Sequence, residues 1–340
     1  MLEFYQIVWF VLVAVLIAGY AVLDGFDLGV GFWYLFEKED APKQKLIKSI
    51  GPVWDGNEVW LLTGGGAIFA AFPDVYATVF SGFYLPFMLV IFALIFRAVS
   101  IEFRNKEEAP SWRKKWDVAF SVGSIIPALL YGVAVGNILR GLQLDERMTY
   151  TGGFFALLNP YALLIGLTGF AMFLVQGALY AALKTPEPLE GRMQARAKIG
   201  WFAYLALFLI ASAATFIWEP QLLANYQNAP ALYAIPTLAL AAIVLIGAFI
   251  FMKAFGKAFI ASSLSIVLLV AVCAASLFPN MTPALGDAAL SLTIWSHSSS
   301  EITLKMMFII AAIGMPLVIG YTIWVYHTFK GKVRLEEEGY

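Results

Sequence analysis

The stretch IVWFVLVAVLIAGYAVLDGFDLGVGFWYLF, Ile7 to Phe36, decides the architecture, and its only charged residues are Asp24 and Asp27. A bilayer core about 30 Å thick takes about 20 mostly apolar helical residues. This run therefore predicts a membrane span. Glu3 stands where a signal peptide would carry a basic region, and the apolar run is too long for one, so the helix is expected to be retained. Working outward, eight further segments read the same way: about Trp54–Phe72, Tyr76–Ser100, Trp116–Asn137, Phe155–Leu183, Trp201–Trp218, Leu232–Met252, Ala258–Phe278 and Thr303–His327. The expectation is an all-α, polytopic transmembrane bundle of nine spans, forming one integral-membrane domain over residues 1–340. No internal repeat is visible, so a transporter made of two matching halves gains no support.

Composition agrees. Of 340 residues, 61% are hydrophobic and 13% charged, against about 45–50% and about 25% in soluble domains. These values exclude a soluble enzyme and a disordered chain. The net charge of −1 offers no basic footprint for nucleic acid. The single cysteine, Cys273, excludes a disulfide framework or a multi-cysteine metal site within the chain. It lies in an apolar run and reads as a buried, inert thiol.

Orientation follows from the basic residues. Of the 22 Lys and Arg residues, 18 fall in alternate connections: Lys38 to Lys48, Arg104 to Lys115, Lys184 to Lys198, Lys253 with Lys257, and Lys330 to Arg334. The opposite loops hold only Arg140 and Arg147. Basic loops stay in the cytoplasm, which predicts the N-terminus outside and the C-terminus cytoplasmic. An even number of spans would break the alternation.

Acids inside spans are expensive and point to function. Asp24 and Asp27 lie three residues apart in the cytoplasmic half of the first helix, and Asp55 and Glu58 repeat that spacing at the start of the second. Arg97, followed by Glu102, lies near the end of the third. Residues three apart share neighbouring helix faces. Two readings stand open. One is a polar relay that admits protons from the cytoplasm, with Arg97 setting the charge state of Asp24, Asp27, Asp55 and Glu58. The other is a structural knot, an Arg97–carboxylate pair with Asp55 capping a helix and Glu102 solvated. Gly25, Gly29 and Gly31, and Thr63-Gly64-Gly65-Gly66-Ala67, read as tight helix packing. The second run lacks the Lys-Ser/Thr ending of a phosphate loop.

The two histidines, His297 and His327, both lie outside span interiors, so this chain alone is expected to build no bis-histidine haem site. Met88, Met172, Met252, Met306, Met307 and Met315 read as core filler. Trp9, Trp33, Trp54, Trp60, Trp201 and Trp218 sit near span ends as interfacial anchors; packing of Trp54 against a haem or quinone is the sharper alternative.

Several blocks carry a resemblance: Leu23-Asp24-Gly25-Phe26-Asp27-Leu28-Gly29-Val30-Gly31, Gly51-Pro52-Val53-Trp54-Asp55-Gly56-Asn57-Glu58-Val59-Trp60-Leu61, Phe69-Ala70-Ala71-Phe72-Pro73, Ser81-Gly82-Phe83-Tyr84 and Phe96-Arg97-Ala98-Val99. Glu102-Phe103-Arg104, Gly136-Asn137-Ile138-Leu139-Arg140-Gly141, Leu158-Asn159-Pro160, Phe278-Pro279 and Ser298-Ser299 with Thr303-Leu304 follow in order. Over nearly the whole chain the sequence resembles subunit II of the cytochrome bd-type quinol oxidases. The resemblance implies a complex, in a bacterial or archaeal-type cell membrane, that oxidises ubiquinol or menaquinol and reduces dioxygen to water with cytoplasmic protons. It implies that haem b and haem d are ligated by a larger homologous subunit I, that the present chain scaffolds that partner, and that it is inactive alone. It also implies a proton path at Asp55. A bound quinone in this subunit and a small single-span accessory subunit are features of some members; lipids surround all of them. The competing classes are an ion-coupled permease, which would need a substrate cavity of its own, and an assembly subunit with no proton role.

Overall fold

The helix α1 (Leu2–Tyr34) is the axis of the molecule, and α3 (Trp54–Ala71), α6 (Pro110–Arg140), α8 (Pro160–Lys184), α12 (Phe255–Leu277) and α13 (Glu301–Thr328) all lie against it. The computed structural model describes residues 1–334; residues 335–340, the end of the expected domain and of its C-terminal tail, lie outside the described residues. The remaining helices are α2 (Asp40–Ile50), α4 (Pro73–Gly82), α5 (Tyr84–Phe103), α7 (Gly153–Ala156), α9 (Leu189–Trp218), α10 (Ala224–Asn228) and α11 (Ala234–Phe251). A short antiparallel pair, β1 (Asn280–Thr282) and β2 (Leu292–Thr293), caps the end opposite α2. Among the described residues eight helices are long and apolar enough to cross a membrane: α1, α5, α6, α8, α9, α11, α12 and α13. The expected second span coincides with α3, which is not among the eight; Asp55, Asn57 and Glu58 in its first turns make it more polar.

Boundaries differ where hydropathy and helicity part. The expected Tyr76–Ser100 span is two helices broken at Phe83. Pro86 has no N–H to bond the carbonyl four residues back, that of Gly82, so the helix restarts. The expected Phe155 start gives way to Pro160, because Asn159 Oδ1 accepts from Ala162 N at 2.9 Å and caps α8 there. Helices α6 and α9 begin six and twelve residues before the expected Trp116 and Trp201. The α9 extension carries Arg192 and Arg196, which meet the buried Glu37 at 2.8 and 2.7 Å and tie α9 to the end of α1.

Close approach explains the glycines of α1. A Cβ on Gly29 would lie 2.0 Å from the Phe173 carbonyl oxygen, and one on Gly31 2.0 Å from Ser124 Oγ, so α8 and α6 seat against backbone there. The run in α3 divides. Gly64 and Ala67 are buried, with a Cβ on Gly64 in ordinary contact with Leu16 at 3.8 Å, as tight packing expects. A Cβ on Gly65 or Gly66 meets nothing within 4 Å, so the packing expectation fails for these two, which lie on an open face of this chain.

The polar helix α2 was not expected. It is fastened by a network beside the end of α1. Arg104 Nε bonds Asp117 Oδ1 at 2.6 Å, and its Nη2 bonds Asp40 Oδ1 at 2.6 Å. Lys43 reaches Asp117 Oδ2 at 2.6 Å, Arg113 reaches Asp40 Oδ2 at 3.1 Å, and the Tyr34 hydroxyl also donates to Asp117. At the opposite end, Ser299 bonds the carbonyls of Ala70 and Ala71, Gln6 donates to Ser298 Oγ, and the Trp9 indole donates to the Leu304 carbonyl. Asn137 Oδ1 accepts from Asn159, joining α6 to α8.

Candidate functional site

Three helices converge on Arg97. It projects from α5 with no solvent exposure, and its two terminal nitrogens each hold one carboxylate: Asp24 Oδ1 at 2.8 Å and Glu58 Oε1 at 2.8 Å. Asp27 Oδ2 stands farther off, 4.0 Å from the same guanidinium. Asp24 and Asp27 are fully buried, whereas the Glu58 side chain is 21% exposed. The i, i+3 spacing on α1 brings both aspartates to one face. They lie within three helical turns of Tyr34, the end beside α2.

The surrounding hydrogen bonds sort the carboxylates. Asp24 Oδ2 accepts from the Tyr20 hydroxyl at 2.7 Å, and the Tyr20 and Tyr131 oxygens lie 2.9 Å apart. With Arg97 on its other oxygen, Asp24 is bonded on both sides. Asp27 Oδ2 accepts from Asn57 Nδ2 at 2.7 Å, but its Oδ1 is buried with no partner, as is Arg97 Nε. Three carboxylates face one guanidinium. Fully ionised, they would leave excess negative charge where water is scarce, a costly state. A proton held among them relieves it.

The sequence-predicted residues separate here. Asp24, Asp27, Glu58 and Arg97 come together. Asp55 does not join them: it is exposed, forms no hydrogen bond or salt bridge among the described residues, and lies one turn before Glu58 on α3. It also caps nothing, since Val53 holds the N-cap position without a side-chain bond. Glu102 is exposed. Trp54 packs half-buried against the chain's own core. Sequence reasoning missed Asn57, Tyr20, Tyr131 and Tyr326, whose hydroxyl donates to Asn57 Oδ1 at 2.9 Å. The tyrosines carry no charge to draw notice, although Asn57 stands inside the Trp54-Asp55-Gly56-Asn57 block.

Among the described residues no group of three or more His, Cys, Asp and Glu side chains could hold a metal ion. His297 precedes α13 and His327 lies in its last turn, so the two sit at opposite ends of one helix and form no bis-histidine pair. An apolar groove of about 560 Å³ lies between α1, α12 and the Asn225–Leu232 turn; Trp54 does not line it.

The family model described as cytochrome bd terminal oxidase subunit II matches residues 5–329. The chain is 37% identical to "Cytochrome bd-I ubiquinol oxidase subunit 2" of Escherichia coli K12, covering 98% of this chain and 97% of that one. It is 36% identical to "Cytochrome bd ubiquinol oxidase subunit 2" of Bacillus subtilis, covering 97% of each. A chain of the bd oxidase from Geobacillus thermodenitrificans shares the fold, with a TM-score of 0.79 at 16% identity over 96% of this chain and 98% of that one. The helices that converge on Arg97 thus belong to a member of the cytochrome bd terminal oxidase subunit II family.

Proposed function

We propose that this chain serves a bd-type quinol oxidase as the subunit that delivers cytoplasmic protons toward the oxygen-reducing site. The observation that carries the reading is the buried cluster of three carboxylates on one guanidinium, with Asp27 Oδ1 unpartnered. Reducing dioxygen to water consumes four protons, which need groups able to gain and lose them inside low dielectric. Asp55 collects protons at the exposed start of α3. Glu58, one turn on and partly exposed, takes them inward. Asp27 accepts them at its open oxygen, and Glu58 returns to the carboxylate that Arg97 holds. Asp24, bonded on both oxygens, anchors Arg97 rather than carrying protons.

The same reading makes α3 a ninth crossing, with the N-terminus outside and the C-terminus in the cytoplasm; the alternating basic loops support it. Haem b and haem d are then held by the larger subunit I, which packs on the open face of α3 around Gly65 and Gly66. The present chain supplies no axial ligand. In the assembled complex, Asp27→Asn should cut oxidase turnover about a hundredfold while haem content stays at the wild-type level. Normal turnover would refute proton delivery, and loss of haem would make Asp27 a structural residue.

A further inference from the structure

We propose that Tyr326 and Asn57 act in series as positioning residues that select which oxygen of Asp27 takes the proton; this rests on the proton-delivery reading above. Asn57 is 2% exposed and its amide is fixed by three partners. Its Nδ2 donates to Asp27 Oδ2 at 2.7 Å and to the Leu23 carbonyl at 3.2 Å. Its Oδ1 accepts from the Tyr326 hydroxyl at 2.9 Å. A primary amide has one donor side and one acceptor side; the Leu23 carbonyl, which can only accept, turns Nδ2 toward α1 and leaves Oδ1 to the Tyr326 hydroxyl, which holds the amide there. Asp27 Oδ2 is thereby occupied, and Oδ1 is the oxygen left open.

Tyr326 comes from an unusual place. Leu304 is the sole buried residue of α13 among the described residues, and most of that helix is uncovered. Among the described residues two side-chain hydrogen bonds join α13 to the helices beside it: the Trp9 indole to Leu304 near the outer end, and Tyr326 to Asn57 near the inner end. The Tyr326 ring sits edge-on to Phe26, centroids 6.5 Å apart, which aims the hydroxyl at α3. The seating of α13 therefore sets the amide, and the amide sets Asp27.

The groups facing Asp27 are Asp24 on α1, Asn57 and Glu58 on α3, Arg97 on α5, Tyr180 on α8 and Tyr326 on α13. The test uses the assembled oxidase with Tyr326→Phe, Asn57→Leu, the double variant, and Asp27→Asn to identify the Asp27 carboxyl stretch in infrared difference spectra. Tyr326→Phe should lower turnover about three- to tenfold, the size of one lost hydrogen bond. It should also displace the pH profile of turnover and move the Asp27 carboxyl band to higher frequency. The double variant should equal Asn57→Leu, because the two residues act in series. If Asn57→Leu does not assemble, Asn57→Ser, whose hydroxyl is too short to reach Asp27, replaces it in the cycle. An unmoved band and profile in Tyr326→Phe, or additive losses in the double variant, overturns the proposal. If Asp27→Asn turns over normally while Tyr326→Phe still moves the band, positioning stands and proton delivery falls.

Discussion

Two charged clusters lie within three helical turns of each other along α1, and they are built on opposite terms. Beside Tyr34, two acids, Asp40 and Asp117, face three bases, Arg104, Lys43 and Arg113, and every carboxylate oxygen has a partner. Deeper in, three acids face Arg97 alone, and Asp27 Oδ1 has none. Both set carboxylates against guanidinium groups. What differs is the sign of the excess charge and the number of satisfied oxygens. A network in which the bases outnumber the acids and every carboxylate oxygen is bonded fastens helices, here α2 to α1, α5 and α6. An acid-rich one with an open oxygen is suited to gaining and losing protons.

The comparison can be broken at either cluster. The largest expected effect is Arg104→Ala, which takes from the mostly buried Asp117 one of its two cations, leaving Lys43 and the Tyr34 hydroxyl, and frees the more exposed Asp40 from the same guanidinium. It should cost about 2–4 kcal/mol, the loss of two charge-assisted hydrogen bonds of which one is partly solvated, seen as a lowered thermal midpoint of the complex, with turnover per haem of the surviving fraction unchanged. Slower turnover at unchanged stability would mean that this network also moves protons. Next is Asp24→Asn. As the anchor of Arg97 it should lower stability by about 1–3 kcal/mol, the range for a hydrogen bond to a charged group. A turnover loss as deep as that of Asp27→Asn, without destabilisation, would make Asp24 a carrier. Asp55→Asn should slow turnover about three- to tenfold with haem content intact, since an exposed collector can be bypassed by water. Normal turnover would remove Asp55 from the route.

The smallest effect concerns Asp40. Burial opposes its charge, but the hydrogen bond and charge of Arg104, with Arg113 and Gln44, hold its carboxyl below the usual carboxylate range. A carboxylate with a lowered native pKa contributes stability that is fully present above the ordinary value, about 4. That stability is lost as pH falls through the lowered native value. Asp40→Asn should therefore flatten the stability of the complex on the acid side of about pH 4 and change little in its shape above that. An unchanged acid limb would detach Asp40 from the network.

The spans were legible because long apolar runs leave little choice inside a bilayer, as Ile7 to Phe36 shows. The break at Phe83 had its signal in Pro86. The polar α2 escaped because its fastening depends on Arg104 and Asp117, residues brought to it only by folding. The cluster on Arg97 was readable from charge: the i, i+3 acids of α1 and the first intramembrane arginine had few other partners. The role of Asp55 was not readable, because one turn along α3 decides whether a carboxylate meets Arg97, and Glu58 rather than Asp55 occupies that turn. Asn57 was hidden for another reason. Its importance comes from three helices crossing, α1, α3 and α13, and no local pattern encodes a crossing.

The most direct test of the central claim follows proton uptake from the medium when the fully reduced complex is mixed with dioxygen, in the wild type and in Asp27→Asn. In Asp27→Asn proton uptake should slow about a hundredfold, at unchanged haem content, while electron transfer that needs no proton keeps its rate. Uptake in Asp27→Asn as fast as in the wild type would contradict that claim.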